Sequence, residues 1–170
     1  MSKYIQKTDF GIGQDVWFIH NNKVTKERVE TIVIFSYKVD SKNIINMVSY
    51  KISVDGESYY IDEEKLFGTS DDLRSYLNVT NGVRPEYDKC YVVECGYSIN
   101  DNVYFMLEDE IKSCKISKIK TSISVINNNY DEPYFGVEYL FDIDGEGISV
   151  MGEDVFGGRS SLVKHLFENI

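Results

Sequence analysis

Two stretches of this chain repeat one another, and the repeat limits the fold more than any single motif does. Val16-Trp17-Phe18-Ile19 aligns with Val103-Tyr104-Phe105-Met106 at an offset of 87 residues. The same offset carries Val24, Val29 and Ile32 onto Ile111, Ile116 and Ile119. Two extra residues enter between Asn127 and Pro133, after which the match resumes at an offset of 89. Tyr50, Ile52 and Val54 then lie over Tyr139, Phe141 and Ile143, and Asp55-Gly56-Glu57 over Asp144-Gly145-Glu146. Glu64, Phe67, Gly68, Leu73 and Leu77 lie over Glu153, Phe156, Gly157, Leu162 and Leu166. Shared spacing over a tail of that length reads as two copies of one module.

Within each copy the apolar residues alternate, the period of half-buried strands. In the first copy, Val16 to Ile19 reads as a strand and Asn21-Asn22 as a turn, because Asn tolerates the left-handed backbone of tight hairpins. A longer strand from Val24 to Tyr37 follows, then a turn at Asp40 to Asn43 and a strand through Val48, Tyr50, Ile52 and Val54. Asp55-Gly56 is a two-residue hairpin signal, closed by a short strand from Ser58 to Ile61. A turn over Glu63 to Phe67 leads to a helix with Ser70 as the expected N-cap, Asp71 and Asp72 at its positive end, and Leu73 and Leu77 as its buried stripe. In the second copy Arg159 or Ser160 takes the entry position. The expected organisation is a first module over 1–77 with an N-terminal extension, a linker and connecting strand over 78–99, and a second, acidic module over 100–170. Cys90 to Cys95 reads as an extra strand fastening one module to the other.

Short bent strands and a small helix in some sixty residues predict a mostly β fold closed into small barrels, since closure removes exposed sheet edges. Strand 16–19, the hairpin Asp55-Gly56-Glu57 and the tail Glu64-x-x-Phe67-Gly68, with their second-copy equivalents, carry the likeness. The pattern resembles tandem SH3-like barrels in the broad sense that includes Tudor and KOW-type modules. The acidic-aromatic strand and late Tyr pair of peptide-binding SH3 domains are not found in it. The composition, rich in Asn, Ile and Tyr and free of Ala, is similar to that of an AT-rich bacterium or its phage.

Charge separates the copies. Residues 1–85 carry 11 cations and 12 anions, whereas residues 86–170 carry 7 and 16, within a formal net charge of −10. Asn21-Asn22-Lys23 of the first copy becomes Glu108-Asp109-Glu110, and the longer loop of the second contains Asp131-Glu132. A focused negative face steers a protein toward a basic partner; the plainer reading is a solvated surface that aids solubility. Trp17 and Tyr104 occupy one repeat position, beside Phe18 and Phe105, and strand alternation turns one of each adjacent pair outward. An outward aromatic is a candidate anchor or cage wall, and burial under the helix is its structural alternative. The candidate partner-binding residues are therefore Glu108, Asp109, Glu110, Asp131, Glu132, Trp17 and Tyr104.

Several classes are disfavoured. Cys90, Cys95 and Cys114 form an odd set without paired metal spacing, and His20 and His165 stand far apart, so neither metal nor cofactor is expected. Scattered cations argue against direct nucleic-acid binding, and no glycine-rich phosphate loop is present. No catalytic residue is nominated: of Asp62, Glu63 and Glu64 only Glu64 is retained, as Glu153, which suggests capping of a turn, and Ser161 with His165 is a bare i, i+4 pair. No apolar run long enough for a membrane span occurs, so a cytoplasmic location is expected. The sequence thus predicts a non-catalytic binding protein whose acidic second copy docks a basic protein surface. Its phage-encoded version would inhibit a host defence nuclease by mimicking nucleic acid. The alternative is a structural or assembly component in which the acidic face has no role.

Overall fold

The computed structural model describes residues 4–40 and 42–168. Ser41 of the expected turn, the first three residues and the last two lie outside the described residues. Each copy begins with a short strand, β1 (Tyr4–Thr8) or β7 (Tyr91–Cys95). A hairpin follows, β2 (Asp15–His20) with β3 (Lys23–Arg28), or β8 (Asn102–Leu107) with β9 (Glu110–Lys115). Then comes a three-stranded meander, β4 (Thr31–Lys38), β5 (Ile44–Val54) and β6 (Glu57–Asp62), or β10 (Lys118–Ile126), β11 (Asn129–Ile143) and β12 (Glu146–Met151). A single 3-10 turn, Glu63–Lys65 or Gly152–Asp154, precedes the helix α1 (Ser70–Asn78) or α2 (Arg159–Glu168).

The hairpins are set by their turn residues. Asn21-Asn22, Glu108-Asp109 and Asn127-Asn128 all have positive φ, as do Asp55-Gly56 and Asp144-Gly145, the backbone required by two-residue turns that match strand twist. The single long strand expected from Val24 to Tyr37 is instead two. The break falls at the fully buried Val29, whose N–H donates to the Gln14 carbonyl at 3.0 Å, while Glu30 N–H turns to the Lys51 carbonyl at 3.0 Å. The chain thereby passes from the hairpin into another sheet, and Ile116 and Ser117 repeat the corner.

The six meander strands form one antiparallel sheet in the order β12-β11-β10-β4-β5-β6, so the copies meet at β4 and β10. Thr31 faces Ser124 and Tyr37 faces Lys118. Under the 87-residue repeat this ladder maps onto itself, with the equivalents Ile34 and Thr121 directly opposite. The β1–β7 ribbon behaves alike: its register places Gln6 opposite Val93, also equivalents. A pseudo-twofold axis therefore passes through both layers.

This pairing corrects the expectation of tandem SH3-like barrels. Among the described residues no sheet closes: the open six-stranded sheet is accompanied by three separate two-stranded ones, β1-β7, β2-β3 and β8-β9. The reason lies in the edges. Strands β1 and β4 use between copies the hydrogen-bonding edges that closure within a copy would need. The hairpin β2-β3 is joined to the rest of its copy through the bridge Trp17 to Phe67, with N···O distances of 2.8 and 2.9 Å, and Tyr104 and Phe156 repeat it at the same two distances.

Two apolar clusters fill the interior, one per copy. Phe10, Val16, Phe18, Ile32, Ile34, Tyr50, Ile52 and Leu66 form the first, with Val93 and Ile123 contributed from the second copy. Val103, Phe105, Ile116, Ile119, Tyr139 and Phe141 form the other, where Phe105 and Phe141 stack with centroids 4.4 Å apart. In each copy a buried tyrosine clasps the segment after the first strand. Phe10 N–H donates to the Tyr50 hydroxyl at 3.2 Å, and the equivalent Tyr97 N–H donates to the Tyr139 hydroxyl at 3.1 Å. Each pair of rings meets edge-on at 5.7 Å. Copy one adds a latch to the linker: buried Asp9 holds Arg84 at 2.8 Å and also pairs with Lys89, while the guanidinium lies over the Phe10 and Tyr87 rings.

Buried polar groups lie on the axis. The Thr121 hydroxyl donates to Gln6 Oε1, Gln6 Nε2 donates to Ser36 Oγ at 2.5 Å, and Ser36 Oγ donates to Asn46 Oδ1 at 2.8 Å. Gln6, Ser36 and Thr121 are wholly shielded from solvent. An unpaired buried donor or acceptor costs about 1–3 kcal/mol, whereas apolar replacement of both partners costs much less. Gln6→Met and Thr121→Val should each destabilise by about 1–3 kcal/mol, and the double variant by clearly less than their sum, in chemical denaturation; strict additivity would remove this network from the account of the fold.

Burial raises the pKa of both clasp tyrosines. Tyr50 is raised by burial and by its bond to Glu63, and Tyr139 by burial to about 12 from the ordinary 10.0. A raised folded pKa means stability is intact below the unfolded value and is lost as pH rises through the folded one. Stability should therefore fall from about pH 10 upward through pH 12. Tyr139→Phe should lose about 1 kcal/mol near neutrality and show a shallower alkaline fall in pH-dependent denaturation; a parallel curve would refute the assignment.

Candidate functional site

The unclosed seam of each copy is a cleft. In copy one it lies between β2, β6 and α1, holds about 370 Å³, and is lined by Ile19, His20, Tyr59, Tyr60, Phe67 and Leu77 among others. In copy two it lies between β8, β12 and α2, holds about 460 Å³, and its walls include Met106, Leu107, Ile148, Val150, Phe156 and Leu166. These six are the repeat equivalents of Ile19, His20, Tyr59, Ile61, Phe67 and Leu77, so one backbone architecture carries two chemistries. The first cleft is aromatic: His20 and Tyr59 rings meet at 4.6 Å, and the Tyr59 hydroxyl donates to Glu57 at 2.7 Å. The second is aliphatic, with His165 packed against Phe156 at 5.0 Å.

Both clefts expose strand edges. Closing pairs of two-residue hairpins exchange hydrogen bonds with each other, and the direction alternates along the strand. Ile143 with Glu146 closes the β11–β12 hairpin, so the backbone groups of Gly147, Ser149 and Met151 point away from the sheet. Strand β12 is the last in its sheet. Across the cleft, Tyr104 uses its outward backbone groups on Phe156, which sets those of Met106 in the same outward row.

The helix floors differ in their caps. Thr69, not Ser70, is the N-cap of α1: its side chain accepts from Asp72 N–H at 3.1 Å, and Ser70 is the first helical residue. Gly158 stands at the matching place before α2 and brings no side-chain acceptor. Glu63, rather than the retained Glu64, is the engaged carboxylate of the 3-10 turn, accepting from Asp9 N–H at 2.9 Å and from the Tyr50 hydroxyl.

The seven candidate residues fall in four places. Trp17 and Tyr104 are half-buried, while their neighbours Phe18 and Phe105 are fully buried. Trp17 is not in the cleft lining but in a neighbouring concavity with Val24, Arg74 and the shared Leu73 and Leu77, and Lys26 stands 5.8 Å from its ring centroid. Glu108, Asp109 and Glu110 form the β8–β9 tip, directly after the cleft residue Leu107. Asp131 and Glu132 are exposed near the opposite end of β11, beside Tyr130, whose ring packs on Gly13 and lies under Arg28. From Asp131 to Asp144 the strand runs on the order of 40 Å at about 3.3 Å per residue, so the two acidic groups do not form one face.

Another carboxylate joins the tip instead. Lys112 bonds Glu110, and its pKa is raised first by that bond and then by the fields of Glu110, Glu108 and Asp144. Glu110 is correspondingly lowered by Lys112. One ammonium is thus bonded by Glu110 and lies in the fields of carboxylates from two hairpin tips; Glu108 directly follows the cleft residue Leu107, and Asp154 lines the cleft wall. Asp144 is visible in the sequence as part of the repeated Asp-Gly-Glu, where it reads only as a turn.

Among the described residues no group of three or more His, Cys, Asp or Glu side chains is placed to hold a metal, and no helix is long and apolar enough to cross a membrane. All three cysteines are free thiols, with Cys95 buried and raised by that burial to about 11. No protein-family model, curated protein or solved structure matches the chain.

Glu108 and Asp109 have φ of +49° and +64°. Glutamate is poorly suited to left-handed backbone, at a cost of roughly 1–2 kcal/mol, whereas Asn visits it readily. Glu108→Asn should therefore raise stability by about 0.5–1 kcal/mol in denaturant titration; an unchanged or lower midpoint would show that the turn carries no such strain.

Proposed function

We propose that this chain is a non-catalytic binding protein that docks a basic surface of a protein partner on its second copy. The observation that carries the reading is the run Glu108-Asp109-Glu110 on the β8–β9 tip, directly after the cleft residue Leu107, with Lys112 bonded to Glu110 alone of the three, at a turn whose backbone disfavours glutamate. Like charges held together destabilise a folded chain and attract a basic partner. Distribution supports the reading as well, since 16 of the 28 carboxylates lie in residues 86–170.

An assembly role draws on a different observation, the exposed Phe35 and Met47 that face each other across β4 and β5. Salt separates the two, because screening weakens charge-led docking and leaves apolar association intact.

The test uses a short labelled peptide of alternating lysine and valine, followed by fluorescence anisotropy. Glu108→Gln, Asp109→Asn, Glu110→Gln and Asp144→Asn together should weaken binding at least about tenfold at low ionic strength. Neutralising Asp55, Asp71, Asp131 and Glu132 removes as many charges elsewhere and should leave binding within about twofold. Equal losses in both variants would reduce the attraction to net charge and overturn the assignment.

A further inference from the structure

We infer that the cleft between β8, β12 and α2 is the seat of this docking. Its occupant is an extended segment of the partner, basic and aliphatic by turns, added as a strand along the free edge of β12. The inference rests on the acidic-docking reading and specifies its geometry.

Three features lead to an extended occupant rather than a helix or a small molecule. Ser149 and Met151 direct their backbone donors and acceptors outward from an edge strand that lines the cleft, and unpaired edges are templates for strand addition. Met106 offers a second outward pair from the facing hairpin, so the cleft presents backbone groups from two sides. The walls between them are mostly apolar, from Leu107, Ile148, Val150, Phe156, Leu162 and Leu166, with Ser149, Asp154 and His165 as their polar members, so alternate apolar side chains of a strand find cover along them.

Charge decides the composition. A strand lying in the cleft turns alternate side chains toward the apolar walls and the rest away. The rest are on the side of the acidic β8–β9 tip, where Glu108 directly follows the cleft residue Leu107, and Asp154 adds a carboxylate on the wall. Lysine or arginine alternating with valine, leucine or isoleucine satisfies both sets. The first cleft lacks this complement, because Lys65 stands where Asp154 does and Asn21-Asn22 where Glu108-Asp109 do.

The test compares the lysine–valine peptide with a version N-methylated at alternate residues, which keeps every charge and removes the backbone donors of one edge. The wild-type chain should bind the methylated peptide at least about tenfold more weakly. The exposed Leu166, changed to Arg, narrows the cleft and should cause a comparable loss without lowering the thermal midpoint. Equal binding of both peptides, with the loss on neutralising the hairpin tips retained, would overturn the strand-addition geometry and leave acidic docking standing. No loss on neutralising the tips, or no binding of the unmethylated peptide at millimolar concentration, would overturn both.

Discussion

Equivalent strands of the two copies pair with each other, and the rest of the architecture follows from that pairing. With β4 opposite β10 and β1 opposite β7, each copy pairs these strands with the other copy rather than with its own hairpin. Strand register is unforgiving here, since a one-residue slip would send Ile32, Ile34, Ile119 and Ile123 from the buried face to solvent. The axis through Ile34 and Thr121 is thus fixed by alternation on both strands at once. Once it is fixed, β6 and β12 are left as the outer edges, the hairpins are left attached through single bridges, and a cleft opens in each copy where a barrel would otherwise have closed.

The axis is also where the copies have diverged. Gln6 and Thr121 make a polar contact between the ribbon and the sheet, whereas their equivalents Val93 and Ile34 belong to an apolar cluster. A polar network wholly removed from water adds little net stability when complete but penalises every arrangement that breaks it. Its physical effect is to hold ribbon and sheet in one relative position. The clasp tyrosines act differently: Tyr50 and Tyr139 repeat the same bond and ring geometry in both copies, so this contact belongs to the module and the Gln6 network to the pairing of modules.

Local features were legible in the sequence, and partnerships between distant segments were not. The repeat, the Asp-Gly and Asn-Asn hairpins and the two helices are written in short-range patterns of alternation and turn chemistry, and the structure places them where those patterns do. The barrels were inferred from the need to cover strand edges, and that need is met in another way, because nothing local distinguishes an edge covered within a copy from one covered by the other. Val29 read as a mid-strand residue because its apolar neighbours continue the alternation, although it marks the corner between sheets. Ser70 was read as the cap, one residue past the Thr69 that caps α1, because both side chains are competent to do so. The clefts were the least visible element. Their walls come from the first hairpin, the last strand and the helix, and their sequence trace is the repetition of Phe67, Leu73 and Leu77 as Phe156, Leu162 and Leu166.

That drift bears on why the acidity sits where it does. Carboxylates that serve solubility alone are tolerated at any exposed strand or helix position, where they cost nothing in backbone energy. Glu108 and Asp109 occupy left-handed turn positions, which the first copy fills with two asparagines, residues suited to that backbone. Glu108 and Asp144 also both act on the one ammonium of Lys112, which bonds Glu110. The strained turn directly follows the cleft residue Leu107 of copy two, whose cleft wall exchanges Lys65 for Asp154. A scaffold that appears twice allows one copy to keep the comfortable turn while the other carries the strained and charged one. Under this argument the fold supplies two identical seams, and their divergence, more than the overall charge of the chain, points to copy two as the binding face.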